Sequence, residues 1–150
     1  MVTLYLAGWG TRFWAWLIDV ILIGLPASAV SDRLPPAWQV TVAPGLLSFS
    51  LSSVVLFLYW TLLEGYRGQS IGKMALNIRV TGRSGEKIGF GAAAIESFGK
   101  AFILIPDCLI GWLAMPGSKE RLFNRISGTV VIESREKEEP EGVTYVKREE

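Results

Sequence analysis

The chain has 150 residues, room for one domain. Half of it is apolar, only 19% is charged and mean hydropathy is +0.35, too greasy for an ordinary soluble domain of this size. The net charge of +1 sets up no field for nucleic acid. One cysteine, Cys108, and no histidine exclude an intrachain disulfide and a Cys/His zinc site.

Residues 1–11 form a short lead with Tyr5 and Trp9. The apolar run that follows predicts a membrane helix over about 11–30, with Arg12 at its start and Asp19 inside it. Trp9, Trp14 and Trp16 mark one water interface, where indoles collect. Ala27-Ser28-Ala29 resembles a signal-peptide cleavage site. However, only Arg12 is basic ahead of the run and Asp19 interrupts it, so a retained helix is expected. Pro35-Pro36 then forces a turn, and Trp38 marks the opposite interface. A second helix is expected over about 39–63, long enough to span ~30 Å of hydrocarbon at ~1.5 Å per residue. Gly45, Ser48 and Ser52 give it a stripe of small residues for close packing.

From Glu64 to Gly91 the glycines and charges are too many for hydrocarbon. Leu76, Ile78 and Val80 alternate with Ala75, Asn77 and Arg79, a strand pattern over 76–80, and Gly82–Gly85 reads as a turn. A third apolar block over about 92–115 holds Glu96, Lys100 and Asp107, with Pro106 as its expected break point. Thr129–Ile132 is a second β-branched run, and two lone strands need each other, so 76–80 should pair with 129–132. From Glu133 onward four basic and seven acidic residues read as an exposed, partly disordered tail. The domain division is thus 1–132 for the membrane domain and 133–150 for the tail.

Basic residues set the orientation. The first loop has Arg33 alone, whereas the loop over 64–91 has Arg67, Lys73, Arg79, Arg83 and Lys87, which places that loop and the N-terminus in the cytoplasm. If the third block also spanned, the two strands would lie on opposite sides. A re-entrant third segment is therefore preferred, with plain three-span topology as the alternative. The expected fold is a mainly α membrane protein: two transmembrane helices, a third re-entrant or spanning segment, and a small cytoplasmic β element.

Charges at bilayer depth cost several kcal/mol and so usually face protein or water. Arg12 and Asp19 are seven residues apart and share a helix face. Arg12 can snorkel to the headgroups, but Asp19 lies too deep. Asp19 should face the interior, near Lys100 or the Glu96/Asp107 face. Glu96 and Lys100 form an i,i+4 pair in the favourable order, and Asp107 is eleven residues past Glu96. Arg12 and Lys100 face four carboxylates, Asp19, Glu64, Glu96 and Asp107. Such a surplus must be protonated or bind a cation. These six residues are the candidate intramembrane site: Arg12 and the Glu96–Lys100 pair could equally serve only to hold helices in register, whereas Asp19 and Asp107 have no basic residue one helical turn away.

Other motifs fail. Gly68 to Met74 (G-Q-S-I-G-K-M) has three residues between its glycines where a phosphate-binding loop needs four, and lacks the Ser/Thr that ligates Mg²⁺. Gly68, Gly72 and Lys73 are instead expected to make a tight turn between the second helix and the sheet. No histidine, cysteine–base pair or serine elbow suggests an enzyme. No catalytic residue, metal ligand or cofactor is assigned.

Three motifs in order, the Trp9–Asp19 pattern, E-G-Y-R-G-Q-S-I-G-K-M-A-L-N-I-R-V and R-L-F-N-R-I-S-G-T-V-V-I, make residues 9–132 resemble the RDD family of small prokaryotic integral membrane proteins. Arg12 and Asp19 match the family's arginine and first aspartate. The later aspartate position holds Asn124, followed by Arg125, Gly128 and Thr129, and Glu96 stands where many members carry arginine. The resemblance implies a multi-pass protein of the cell membrane with a role in transport, ion or proton exchange being one suggestion. Two function classes are expected. The first is movement of a small cation or proton by intramembrane carboxylates, Asp19 and Asp107 titrating, in a homo-oligomer. The alternative is a non-transporting assembly element that binds an unknown protein partner. The lipid bilayer is the expected surrounding, with no nucleic acid.

Overall fold

The computed structural model describes residues 4–38, 40–43, 47–114 and 120–134. Of the expected tail over 133–150, Glu133 belongs to a strand, Ser134 is described and 135–150 lie outside the described residues. Helix α1 (Trp9–Asp19) and helix α2 (Leu25–Ser31) join through a π-helical turn, Val20–Gly24. Together they form one helix over Trp9–Ser31, long and apolar enough to cross a membrane. Pro26 has no N–H to return to Leu22, and the wider π turn just before it absorbs the misfit. The expected 11–30 helix is present and slightly longer.

The second expected helix is corrected. Val40–Ala43 (β1) and Leu47–Phe49 (β2) pair as an antiparallel hairpin, and helix α3 occupies only Leu51–Arg67. Three consecutive β-branched residues, Val40, Thr41 and Val42, lead into Pro44-Gly45, a combination that disfavours helix and signals a turn. The stripe read from Gly45, Ser48 and Ser52 is therefore not a helical stripe: Ser48 is in a strand and Gly45 lies outside the described residues. Ser50 caps α3 by accepting from Ser53 N–H at 3.2 Å.

At its other end α3 stops on Gly68, whose φ of 73° is left-handed. Gly68 N–H bonds Glu64 O at 2.8 Å, and Val80 N–H bonds Gly68 O at 2.7 Å, tying the helix end to strand β3 (Ile78–Gly82). The expected turn is confined to Gly68. Gly72 and Lys73 instead sit in a short helix, α4 (Ile71–Ala75), started by Ser70, whose side chain accepts from Lys73 N–H. A Cβ on Gly72 would overlap the carbonyl oxygen of Ala15, so only glycine lets α4 lie this close on α1.

Strand β3 pairs antiparallel with β4 (Thr129–Glu133), in register from Ile78 opposite Glu133 to Gly82 opposite Thr129. The expected pairing is present, shifted two residues along β3, because Leu76 ends α4 and Asn77 takes a positive φ of 53°. The lead adds a third segment: Ala7 N–H bonds Val131 O and Glu133 N–H bonds Tyr5 O. Ala7, Ala15, Ile78, Val80, Ile88, Ala93 and Val131 form the small apolar core here.

The third block is two helices, α5 (Phe90–Phe102) and α6 (Leu104–Ala114), broken at Ile103. Pro106 is not itself the break but its cause. It cannot donate to Phe102 O, so the discontinuity falls one turn earlier and Pro106 sits in the first turn of α6, where no N–H is needed. A short helix α7 (Leu122–Ser127) leads through Gly128, another left-handed cap, into β4. Large apolar side chains face outward on all the long helices except α5, where the outward ones are fewer. Ile21, Leu22 and Leu25, then Leu58 and Leu62, then Trp112 and Leu113 are 49–68% exposed. A belt of this extent suits lipid and not water.

Candidate functional site

Asp19 sits at the end of α1, where α4 and α3 converge. Its Oδ1 accepts from Tyr59 Oη–H at 2.7 Å and Gly72 N–H at 2.8 Å. Its Oδ2 accepts from Ser70 Oγ–H at 2.6 Å and Trp60 Nε1–H at 2.9 Å. Four donors from two other elements thus converge on one buried carboxylate. The expectation that Asp19 faces the interior is met. Its direct partners, however, are neutral donors, and its link to Lys100 runs through Trp60, whose ring lies 4.7 Å from the Lys100 ammonium.

Beside this clasp lies an ionic chain. Glu64 Oε1 accepts from Lys73 Nζ at 2.7 Å and from Lys100 Nζ at 2.6 Å. Lys100 Nζ is also 3.0 Å from Glu96 Oε2, the i,i+4 pair, and Lys73 Nζ is 3.8 Å from Glu96 Oε1. Arg121 then joins Glu96, through Nη2, to Asp107, through Nη1 at 3.2 Å. Asp107 Oδ1 accepts from Phe123 N–H in the first turn of α7, an acceptor at the positive end of a helix. Acid and base alternate through Lys73, Glu64, Lys100, Glu96, Arg121 and Asp107, all buried.

The structure therefore brings Glu64, Glu96, Lys100 and Asp107 together, with Asp19 adjacent. It corrects the charge count: with Lys73 and Arg121 the set holds four buried cations against its four carboxylates, and the fifth buried carboxylate among the described residues, Glu120, pairs with the exposed Arg83. Sequence alone counts Lys73 among the basic residues of the 64–91 loop and gives Arg121 no place in the site. The signal for Lys73 was its place in a motif with Ser70 and Gly72, both of which bond Asp19. For Arg121 it was the motif that also carries Asn124. Asn124 accepts from Arg121, Nε–H to Oδ1 at 3.2 Å, while its amide donates to Thr129 Oγ1 at 3.0 Å. Arg125 is exposed.

Arg12 is the exception. It is 9% exposed, its guanidinium lies 5.6 Å from the Trp9 ring, and none of its three nitrogens has a hydrogen-bond partner. It lines a cavity of about 350 Å³ whose walls include Trp9, Phe13, Trp16, Glu96 and Lys100. Among the described residues no group of three or more His, Cys, Asp or Glu side chains could hold a metal ion.

Lys73 lies outside the membrane-crossing helices, and burial pushes its pKa down to about 8 against the opposing pull of Glu64 and Glu96. The folded chain then releases this proton near pH 8, while the unfolded chain holds it to about 10.5. Between those values the unfolded state binds more protons, so this group makes stability rise with pH. The unfolding free energy of wild type minus that of Lys73→Met, measured in detergent, should therefore grow between pH 8 and 10. A flat difference would contradict the burial of this ammonium.

An outward apolar belt around an enclosed ionic chain defines a membrane-type helical protein. The sequence profile of the RDD family matches residues 6–128, most of the chain, and the protein belongs to that family. Among curated proteins and solved structures no match was found.

Proposed function

We propose that this is a multi-pass protein of the cell membrane that exchanges a proton across the bilayer, with the Glu64–Glu96 pair as the exchange centre. The observation that supports this is an orphan acceptor between two carboxylates that share both lysines: Glu64 Oε2 is buried without a hydrogen bond, whereas Glu96 Oε2 is ion-paired to Lys100 at 3.0 Å. An orphaned buried oxygen calls for a missing donor or ion. Two ammoniums within 3.8 Å repel a metal cation, whereas a proton fits between carboxylates. A small cation is the weaker form of the same reading. Asp19 and Asp107 have no bare oxygen and serve as anchors.

In this reading the lead, β3 and β4 share the cytoplasmic side, because strands paired at hydrogen-bond distance cannot be separated by ~30 Å of hydrocarbon. The helix over 9–31 and α3 cross, α5–α6 re-enters, and so small a bundle completes its path as a homo-oligomer. No enzymatic step is involved. In a Cys108→Ala background, Asp32→Cys should label from outside intact cells and Arg125→Cys should not. Outside labelling at position 125 would restore three spans.

Dissipation of a pH gradient in proteoliposomes tests the exchange. Wild type should collapse it faster than empty vesicles, and the charge-balanced Glu64→Gln/Lys73→Met protein should not. Equal rates for wild type and empty vesicles would leave the alternative class, an assembly element whose balanced charges only fix helix packing, a reading favoured by the three-to-three balance of the ionic chain.

A further inference from the structure

The ionic chain leaves Arg12 unused, and Arg12 is the residue with the most to gain from a ligand. A guanidinium carries five N–H donors and cannot shed its charge. Here all three nitrogens lack a hydrogen-bond partner although the side chain is nine-tenths buried. Leaving such a group dry and unpaired is strongly unfavourable, so its partner must come from outside the described residues. The carboxylates in its neighbourhood are committed. Glu96 is held by Arg121 and Lys100, Asp19 by its four donors, and Glu120 by Arg83. Glu96 and Glu120 act on Arg12 only through space, and Arg121 repels it.

The cavity that Arg12 lines is therefore rich in cations: Arg12, Lys73, Lys100 and Arg121 against Asp19 and Glu96. The remainder of its wall is apolar and largely aromatic, with Trp9, Phe13, Trp16, Trp60 and Leu104. At about 350 Å³ it falls at the small end of ligand pockets. Trp9 and Trp16, which the sequence places at a water interface where lipid headgroups lie, line it.

We propose that this cavity is a binding site for an oxyanion carried on an apolar group, with a phosphate or carboxylate paired two-pronged to Arg12 and its apolar part against the aromatic wall. A planar guanidinium suits such an oxyanion because two of its N–H groups lie parallel. The cavity takes a headgroup or a short chain, not a whole phospholipid. Glu96 and both lysines of the exchange centre also line this cavity, but the oxyanion is held by Arg12, which bonds neither Glu64 nor Glu96, so binding can succeed or fail whatever the flux assay gives.

The test is calorimetric titration of the full-length protein in uncharged detergent with octyl phosphate, inorganic phosphate and 1-octanol. Octyl phosphate should bind saturably, inorganic phosphate more weakly, and octanol without saturation. Arg12→Gln should weaken octyl phosphate by about tenfold or more, the loss of a charge-assisted hydrogen-bond pair. Arg12→Lys keeps the charge and the stem but loses the fork, and should also bind more weakly, which serves if the glutamine variant does not fold. Arg12-dependent binding of inorganic phosphate as tight as that of octyl phosphate would assign the site to a free oxyanion and overturn its amphiphilic character. No saturable binding, or binding unchanged in both variants, would overturn the proposal.

Discussion

Asp19→Asn should destabilise the folded protein by about 2–4 kcal/mol, although the two side chains have the same shape. Each carboxylate oxygen accepts from one hydroxyl and one obligate donor: Tyr59 with Gly72 N–H, and Ser70 with Trp60 Nε1–H. An asparagine has one acceptor oxygen, and its NH₂ must point at the other pair. The hydroxyl of that pair can rotate and accept, but the peptide or indole N–H cannot, so at least one buried donor is orphaned. The charge assistance to all four bonds is lost as well. Thermal unfolding in detergent should show a clear drop for Asp19→Asn and a larger one for Asp19→Ala. Wild-type stability in Asp19→Asn would mean that the four-donor clasp does not form.

Glu64→Gln should cost roughly 3–5 kcal/mol, the range for breaking a buried pair from one side. Glu64 is the acid that both Lys73 and Lys100 reach at 2.6–2.7 Å, and without it two buried ammoniums depend on Glu96 alone. Removing one of those ammoniums should return much of the loss. The Glu64→Gln/Lys73→Met cycle is therefore expected to show a coupling of at least about 1 kcal/mol. Arg83→Ala is the contrasting case. Its pair with Glu120 is 3.4 Å long with the arginine side chain 57% exposed, so stability should move by no more than about 1 kcal/mol. Additive losses at Glu64 and Lys73 would show that the ionic chain is not a unit.

The parts of this fold legible from sequence were those set by periodicity and by sharp composition shifts. Apolar length marked the first helix, alternation over 76–80 marked β3, and β-branching marked β4. The i,i+4 spacing of Glu96 and Lys100 made their pairing legible, since it depends on one helix alone. The hairpin over 40–49 was missed because apolar length was weighed above Pro44-Gly45 and the valine–threonine run before it. Site membership was harder. Lys73 and Arg121 look like solvated loop cations along the chain, and only tertiary packing carries them inward. For Lys73 that packing depends on the absent side chain of Gly72, which lets α4 settle on α1. For Arg121 it depends on the break at Ile103, which turns α6 back so that Asp107 meets it. A count of charges by segment cannot see either event, which is why the carboxylate surplus disappeared once the chain was folded.

The most direct measurement of the central claim is infrared difference spectroscopy of the purified protein between acid and neutral pH. An exchange centre at Glu64 and Glu96 predicts a carboxyl C=O band that gains and loses its proton in wild type and is absent from Glu64→Gln/Lys73→Met. It should persist in Arg12→Gln, because the Arg12 guanidinium has no hydrogen bond to either carboxylate. Identical difference spectra for wild type and the double variant would contradict the assignment and leave the ionic chain as a packing device.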